Sequence, residues 1–438
     1  MYASSEFARE TLTKWPRRRI VALRGARHPA FHHAQPFIRH LLRQMLLSII
    51  LLPLACLPPR FAHAVELLDG EMQLHGFIMQ GLVNTSDNNF FGQSHNRISS
   101  DFREFGVNAS WRLKPELQLS AELLSHRAGG TDDGRLRLDY GLIDWTVHTS
   151  ESGRSGVRLG RLKAAYGLYN TTRDVPFTRP SIILPQSIYF ERTRNLTVSA
   201  DGGEIYLERY GDGALLSASF ALGRPQADTS AAKIALVGLA ANGHLESDPT
   251  PDFHLLYETD GGKYRLGFTA ARLKLHYHPG PGDNLQAGTF ELRPLVFSAQ
   301  YNDENWSLTG EYARRNTVIN NFGPAFYNGH AAGESYYLQG TYRITPRWEA
   351  LLRYDVFYAD RNDRHGQTFS AATRWPGYLR FAKDWTTGIR YDVTSSFMLR
   401  AEIHRINGTG FLPVQDNPNP FAMQQRWNLY LLLASYRF

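Results

Sequence analysis

The chain has 438 residues, a mean hydropathy of −0.37 and 13% aromatic residues, and it contains no run of about 20 apolar residues, so a bundle of membrane helices is excluded. Its formal charge of +7 is unevenly placed: of 48 basic and 41 acidic residues, 10 and 2 fall within residues 1–64, leaving the rest at −1. The basic isoelectric point therefore belongs to the leader and is no argument for a nucleic-acid partner.

Residues 1–37 are Arg-rich without apolar periodicity and read as a leader extension, disordered or arising from a mis-assigned start. Residues 38–64 carry the three parts of a secretory signal: Arg39 and Arg43, the apolar run Met45 to Leu57, and Ala62-His63-Ala64 with small residues before the cleavage point. Cleavage is expected after Ala64. Leu54-Ala55-Cys56 is a poor lipoprotein site because Pro53 and Leu54 fit that pattern badly. Cys56 is the one cysteine, so a chain beginning at residue 65 forms no disulfide and suits an oxidising compartment.

From Glu71 onward one pattern repeats: about ten alternating residues, then a break rich in Gly, Pro, Asn or Asp. Phe105, Val107, Ala109, Trp111 and Leu113 alternate with Glu104, Asn108, Ser110 and Arg112, and Leu117 to Leu123 continue after Pro115 as the second arm of a hairpin. Sixteen strands follow from this, near 71–83, 102–113, 116–126, 135–148, 156–163, 203–210, 213–223, 252–259, 263–276, 287–301, 304–315, 333–344, 347–359, 377–393, 396–407 and 426–438, with 18 as the alternative count. So many strands exceed what two stacked sheets hold around one core. A closed antiparallel up-and-down transmembrane β-barrel over residues 65–438 satisfies every backbone group in a bilayer, with the apolar parity on lipid and the polar parity on a watery bore. Turns at Lys114-Pro115, Gly211-Asp212, Asp260-Gly261-Gly262, Asp303 and Thr345-Pro346 are short. The connections 84–101, 164–202, 224–251, 316–332, 360–376 and 408–425 are long and belong at the other end. Trp111, Trp306, Trp348, Trp385 and Trp427 are expected in interfacial girdles.

The last stretch, Trp427 to Phe438, puts Tyr430, Leu432, Ala434, Tyr436 and Phe438 on one parity. It resembles the C-terminal strand of Gram-negative outer-membrane barrels, in which Tyr436 and Phe438 would be the signal read by the barrel-assembly machinery. Gly160-Arg161-Leu162-Lys163-Ala164-Ala165-Tyr166-Gly167, followed by Arg173-Asp174 and Phe177, is similar to the entry into the long third loop of phosphate-selective-type and related porins. Arg353-Tyr354-Asp355, Gly388-Ile389-Arg390-Tyr391 and Arg400-Ala401-Glu402-Ile403-His404 resemble late strands of that group. The resemblance implies a passive diffusion channel in the bacterial outer membrane, in contact with the lipid bilayer and lipopolysaccharide, assembled as a homotrimer, with loop 164–202 folded into the lumen.

Residues 154–194 carry eight basic groups against Asp174 and Glu191, a local +6. Arg158, Arg161, Lys163, Arg173, Asp174, Arg179, Arg192 and Arg194 are the candidate constriction and solute-binding residues, and an arginine-lined narrow bore favours anions. The alternatives are pairing with Glu104, Glu122, Asp139, Asp144, Glu204 or Glu208, or contact with lipopolysaccharide phosphates. Pro176, Pro180 and Pro185 stiffen the same loop, and Ile182-Ile183-Leu184 with Ile188-Tyr189-Phe190 offer apolar anchors. No nucleophile elbow, phosphate loop or dinucleotide fingerprint occurs, so neither an enzyme nor a cofactor is expected. His276 and His278 share a strand face, but no third ligand at a recognisable spacing completes a metal site. Non-conducting barrels with an adhesive, structural or hydrolytic role, and a substrate-specific channel, are the competing functions.

Overall fold

The alternating segments fold into one antiparallel sheet in a computed structural model that describes residues 65–67, 70–324 and 326–438; the leader, the signal segment and its cleavage point lie outside these residues. Its long strands, in chain order, are β1 Met72–Thr85, β2 Ser99–Lys114, β3 Leu117–Ala128, β4 Asp132–Ser150, β5 Gly153–Lys163, β6 Ser199–Gly211 and β7 Ala214–Pro225. They continue with β8, split into His244–Ser247 and Thr250–Thr259, and β9, split into Tyr264–Ala271 and Leu273–His278. The remainder are β10 Gly288–Asn302, β11 Trp306–Asn320, β12 Gly329–Thr345, β13 Trp348–Tyr358, β14 Phe381–Asp392, β15 Phe397–Gly408 and β16 Arg426–Arg437. The short piece Val65–Leu67 folds back on β1. Each long strand overlaps one segment read from alternation, and among the described residues the long strands number sixteen.

Every strand pairs with its chain neighbours, and β16 pairs with β1 from Leu429 opposite Thr85 to Arg437 opposite Phe77. Phe438 completes this seam, its N–H donating to Gly76 O at 3.0 Å and its carbonyl accepting from Gly76 N–H at 3.1 Å. The ring of Phe438 occupies the place of a side chain at position 76: a Cβ there would stand 2.3 Å from the ring. A closed ladder leaves no long edge unpaired, as a spanning sheet in hydrocarbon requires.

Side-chain parity gives an apolar outside and a polar inside. Phe105, Leu123, Leu159, Ile205, Leu222, Leu338, Leu352 and Ile403 are exposed, Leu338 by 67%, whereas Glu104, Glu122, His126, Glu311, Gln339, Arg353, Asp355, Thr386 and His404 are buried. That is the reverse of a soluble sheet and the distribution of a membrane barrel. Trp111, Trp306, Trp348 and Trp385 lie on the exposed side. Trp306 packs on Tyr342 with ring centroids 4.3 Å apart, and Trp348 on Tyr391 at 4.4 Å, both near the short turns. Trp427 departs from the girdle reading. It is buried inside, donating from Nε1 to Gly408 O at 3.1 Å, because the inward parity of β16 is itself apolar. Leu429, Leu431 and Leu433 join Phe177, Ile182, Ile183, Phe411 and Leu412 in an apolar cluster supplied by the connections folded over and into the bore.

One end carries tight turns, where Asp212-Gly213 and Asp260-Gly261-Gly262 all adopt positive φ, a conformation favourable chiefly to glycine, Asp and Asn. The other end carries the long connections. The third connection at that end, residues 164–198, follows the three-residue link 129–131 in chain order; it leaves β5 and returns as β6 after crossing the interior. Gly76→Leu is expected to cost about 2 kcal/mol by overpacking the seam, and combining it with Phe438→Ala to recover much of that loss; urea unfolding in lipid vesicles, run as a double-mutant cycle, measures the coupling.

Candidate pore constriction

The third connection is held in the bore by wall residues that grip its backbone. On β13, Arg353 donates to Ser181 Oγ at 2.9 Å and Ile183 O at 3.2 Å, and Asp355 accepts from Ser187 N–H at 3.2 Å. On β15, Arg400 donates to Arg179 O at 2.6 Å, and Glu402 accepts from Ile182 N–H at 2.5 Å. On β11, Arg315 donates to Ser187 O at 2.7 Å, and Glu311 accepts from Tyr189 O–H at 2.7 Å and Leu168 N–H at 3.0 Å. The connection starts at β5 and is gripped by β11, β13 and β15, so it spans the bore rather than hugging the wall it leaves. Pro176, Pro180 and Pro185 limit its backbone freedom, and Ile182, Ile183, Leu184, Ile188 and Tyr189 are all buried.

The near side is fixed by ion pairs. Glu104 on β2 accepts from Arg179 at 2.9 Å and Arg194 at 3.3 Å and stands 3.3 Å from His126. Asp174 pairs with both Lys163 and Arg194, and Lys163 also pairs with Asp139 on β4. Arg173 braces the connection internally through Glu191 at 2.5 Å. Glu122, Asp139 and Asp174 bring carboxylate oxygens within 4.8 Å of one another, as a metal site would, but the Lys163 ammonium bonds to two of the three and supplies the positive charge. Removing one member of such a buried network leaves an unpaired charge, a loss of about 3–5 kcal/mol.

The eight residues singled out in the sequence therefore separate. Lys163, Arg173, Asp174, Arg179 and Arg194 tie the connection to the wall and to itself. Arg158 is on the inner wall, paired with Asp144 at 2.9 Å and Glu204 at 2.7 Å, its guanidinium 4.2 Å from the Tyr206 ring centroid. Arg161 does not line the bore: it has the parity of exposed Leu159 and pairs outside with Asp201 at 2.7 Å, because residues opposed across β5 and β6 share a face. Arg192 faces a cavity and forms no ion pair among the described residues. His276 and His278 each meet a separate acid, Asp248 at 3.2 Å and Glu246 at 3.5 Å.

Sequence reasoning passed over Arg315 and Arg380. Arg315 falls on the polar parity of β11 with Glu311, a signal present in the alternation, whereas Arg380 lies in a long connection with no periodicity to mark it. Beside the crossing connection lie two cavities that share Leu162 and Lys163, the smaller against β4 to β8 and the larger reaching from β5 round to β13. One, of about 270 Å³, faces the short turns and is lined by Arg158, Glu204, Ser217, Ser219 and His254. The other, of about 360 Å³, faces the long connections.

No protein-family model matches the chain, and no curated protein matches it. Solved structures do. OmpT of Vibrio cholerae in its trimer form aligns with a TM-score of 0.51 at 12% identity over 84% of this chain and 99% of that one. The outer-membrane channel DcaP of Acinetobacter baumannii gives 0.53 at 12% identity over 86% and 100%. Salmonella typhi OmpF, in complex with daunomycin, gives 0.53 at 15% identity over 85% and 100%. The chain has the fold of outer-membrane porin barrels. At these identities the likeness is one of architecture, and the phosphate-selective subtype receives no separate support.

Arg353→Ala is expected to free the crossing connection at Ser181 and Ile183, raising single-channel conductance and current noise in planar bilayers. Unchanged conductance and noise in a correctly folded variant would show that the connection does not narrow the bore.

Proposed function

We propose that the protein is a bacterial outer-membrane porin, a water-filled channel for passive diffusion of small hydrophilic solutes that favours anions and assembles as a homotrimer. The observation that carries this reading is the pair of cavities left beside the crossing connection, within a closed sheet whose outside is apolar and whose inside is polar. A structural or adhesive barrel has no need to keep such space.

Anion preference rests on the groups that remain without acidic partners. Most of the local +6 in residues 154–194 is offset by carboxylates, so that cluster taken whole does not set the selectivity. Arg192 and Arg380 line the larger cavity and make no ion pair among the described residues, and Arg315 beside them bonds to Ser187 O and Ser335 Oγ. Burial, with the charges of Arg315 and Arg380, pulls the Arg192 pKa down to about 10, so it remains protonated at neutral pH. A positive site in a narrow, poorly hydrated passage concentrates anions.

Reconstituted protein in planar bilayers is expected to give discrete conductance steps and, in a KCl gradient, a reversal potential of the sign set by chloride. Arg192→Gln with Arg380→Gln should bring the chloride-to-potassium permeability ratio about twofold closer to unity. Absence of steps would overturn the porin reading; a cation-selective wild-type channel would overturn the anion preference alone.

A further inference from the structure

The larger cavity has two unlike surfaces. Leu162, Phe190, Leu196, Phe290, Leu292 and Ile319 form an apolar wall, and the helix Ser230–Val237 contributes Ala235 and Leu236. Arg192, Arg315 and Arg380 line the same space. Arg192 lies against Phe190, 5.3 Å from its ring centroid, and Arg315 lies 5.0 Å from the same centroid, so the cations adjoin the apolar wall. Asp252 also lines the cavity, yet it forms no ion pair with any of the three. Asp360 and Asp363, whose charges act on Arg380, likewise make none with it.

A passage for inorganic ions alone requires no apolar wall, and three clustered guanidiniums, none of them paired with a carboxylate, repel one another. Both features are satisfied by one kind of occupant. We propose that this cavity is a binding site for a small amphipathic carboxylate, an aromatic or short aliphatic acid whose head is held by Arg192 and Arg380 and whose body lies on the Phe190, Leu292 and Ile319 surface. Guanidinium groups take carboxylates through paired charge-assisted hydrogen bonds, which become stronger where the surroundings are apolar. At about 360 Å³ the cavity falls at the lower end of the range of small-molecule sites, roughly 300–1,000 Å³. The cavity lies at the long-connection end, against Ile188 and Phe190 of the crossing connection. The inference rests on the porin reading for its purpose, though binding itself can be measured without conduction.

The test uses the folded barrel in lipid nanodiscs, with empty nanodiscs as the blank for partitioning. Equilibrium dialysis is run with 2-naphthoate, with 2-naphthol, which keeps the rings and is uncharged at neutral pH, and with inorganic phosphate, which keeps charge without the rings. Saturable binding of 2-naphthoate, at least about tenfold tighter than either control, is the expected result. Arg192→Gln with Arg380→Gln should weaken 2-naphthoate binding at least about tenfold, and Arg192→Lys should restore part of it. Equal binding of naphthoate and naphthol would overturn the role of the arginines. Phosphate binding as tight as naphthoate would overturn the role of the apolar wall. No saturable binding to the wild-type protein would overturn the site outright. In planar bilayers the same acid should interrupt the open current of the wild type; conductance without interruption counts against the inference alone, whereas binding without conductance counts against the porin reading alone.

Discussion

Everything in this molecule depends on a sheet that must satisfy its own backbone. In hydrocarbon an unpaired N–H or C=O costs several kcal/mol, so the sixteen strands are useful only if the last finds the first. The seam between β16 and β1, extended by the paired hydrogen bonds of Phe438 and Gly76, is where that condition is met. Closure fixes the parity of every side chain, and parity divides the sequence into a face for lipid and a face for the bore.

The inward face then meets a second demand. Carboxylates and guanidiniums withdrawn from bulk water need partners, and the third connection supplies many of them. Its backbone amides and carbonyls take up Arg353, Asp355, Arg400 and Glu402, and its Asp174, Arg179 and Arg194 pair with Lys163 and Glu104. A polar wall and a polar crossing segment thus stabilise one another, while Ile182, Ile183 and Phe177 join the apolar inward face of β16. The crossing leaves open space beside it, bordered by β4 to β8 in the smaller cavity and by β5 to β13 in the larger.

Strand positions were legible because alternation is a local property: Glu104 to Leu113 declares its two faces without reference to anything distant. Trp427 was misread for a related reason. Both parities of β16 are apolar, so alternation there cannot say which faces lipid, and the answer depends on Phe411, Leu412 and Ile182 arriving from remote connections. The basic residues after Arg154 were legible as a cluster but not as roles. Whether a guanidinium is free or paired is decided by Glu104, Asp139, Asp144, Asp201 and Glu204, which reach it only through the folded sheet. Arg161 and Lys163 show the limit plainly: both have the parity of outward Leu159, yet Arg161 pairs with Asp201 while Lys163, at the end of β5, turns to Asp139 and Asp174. Arg380 gave no such clue, since its position beside Arg192 is set by the path of a long connection.

The most direct test of the account is the environment of adjacent side chains on β7, where the wall borders the two cavities. Residues 65–438 contain no cysteine, so single cysteines for spin labelling can be placed in a protein produced from residue 65 without a competing thiol. In vesicles, labels at Leu216, Phe220 and Leu222 should be relaxed by oxygen dissolved in lipid, and labels at Ser217, Ser219 and Ala221 by a water-soluble nickel chelate. The same relaxing agent dominating at all six positions, or the two sets exchanged, would contradict a barrel with hydrocarbon outside and water within.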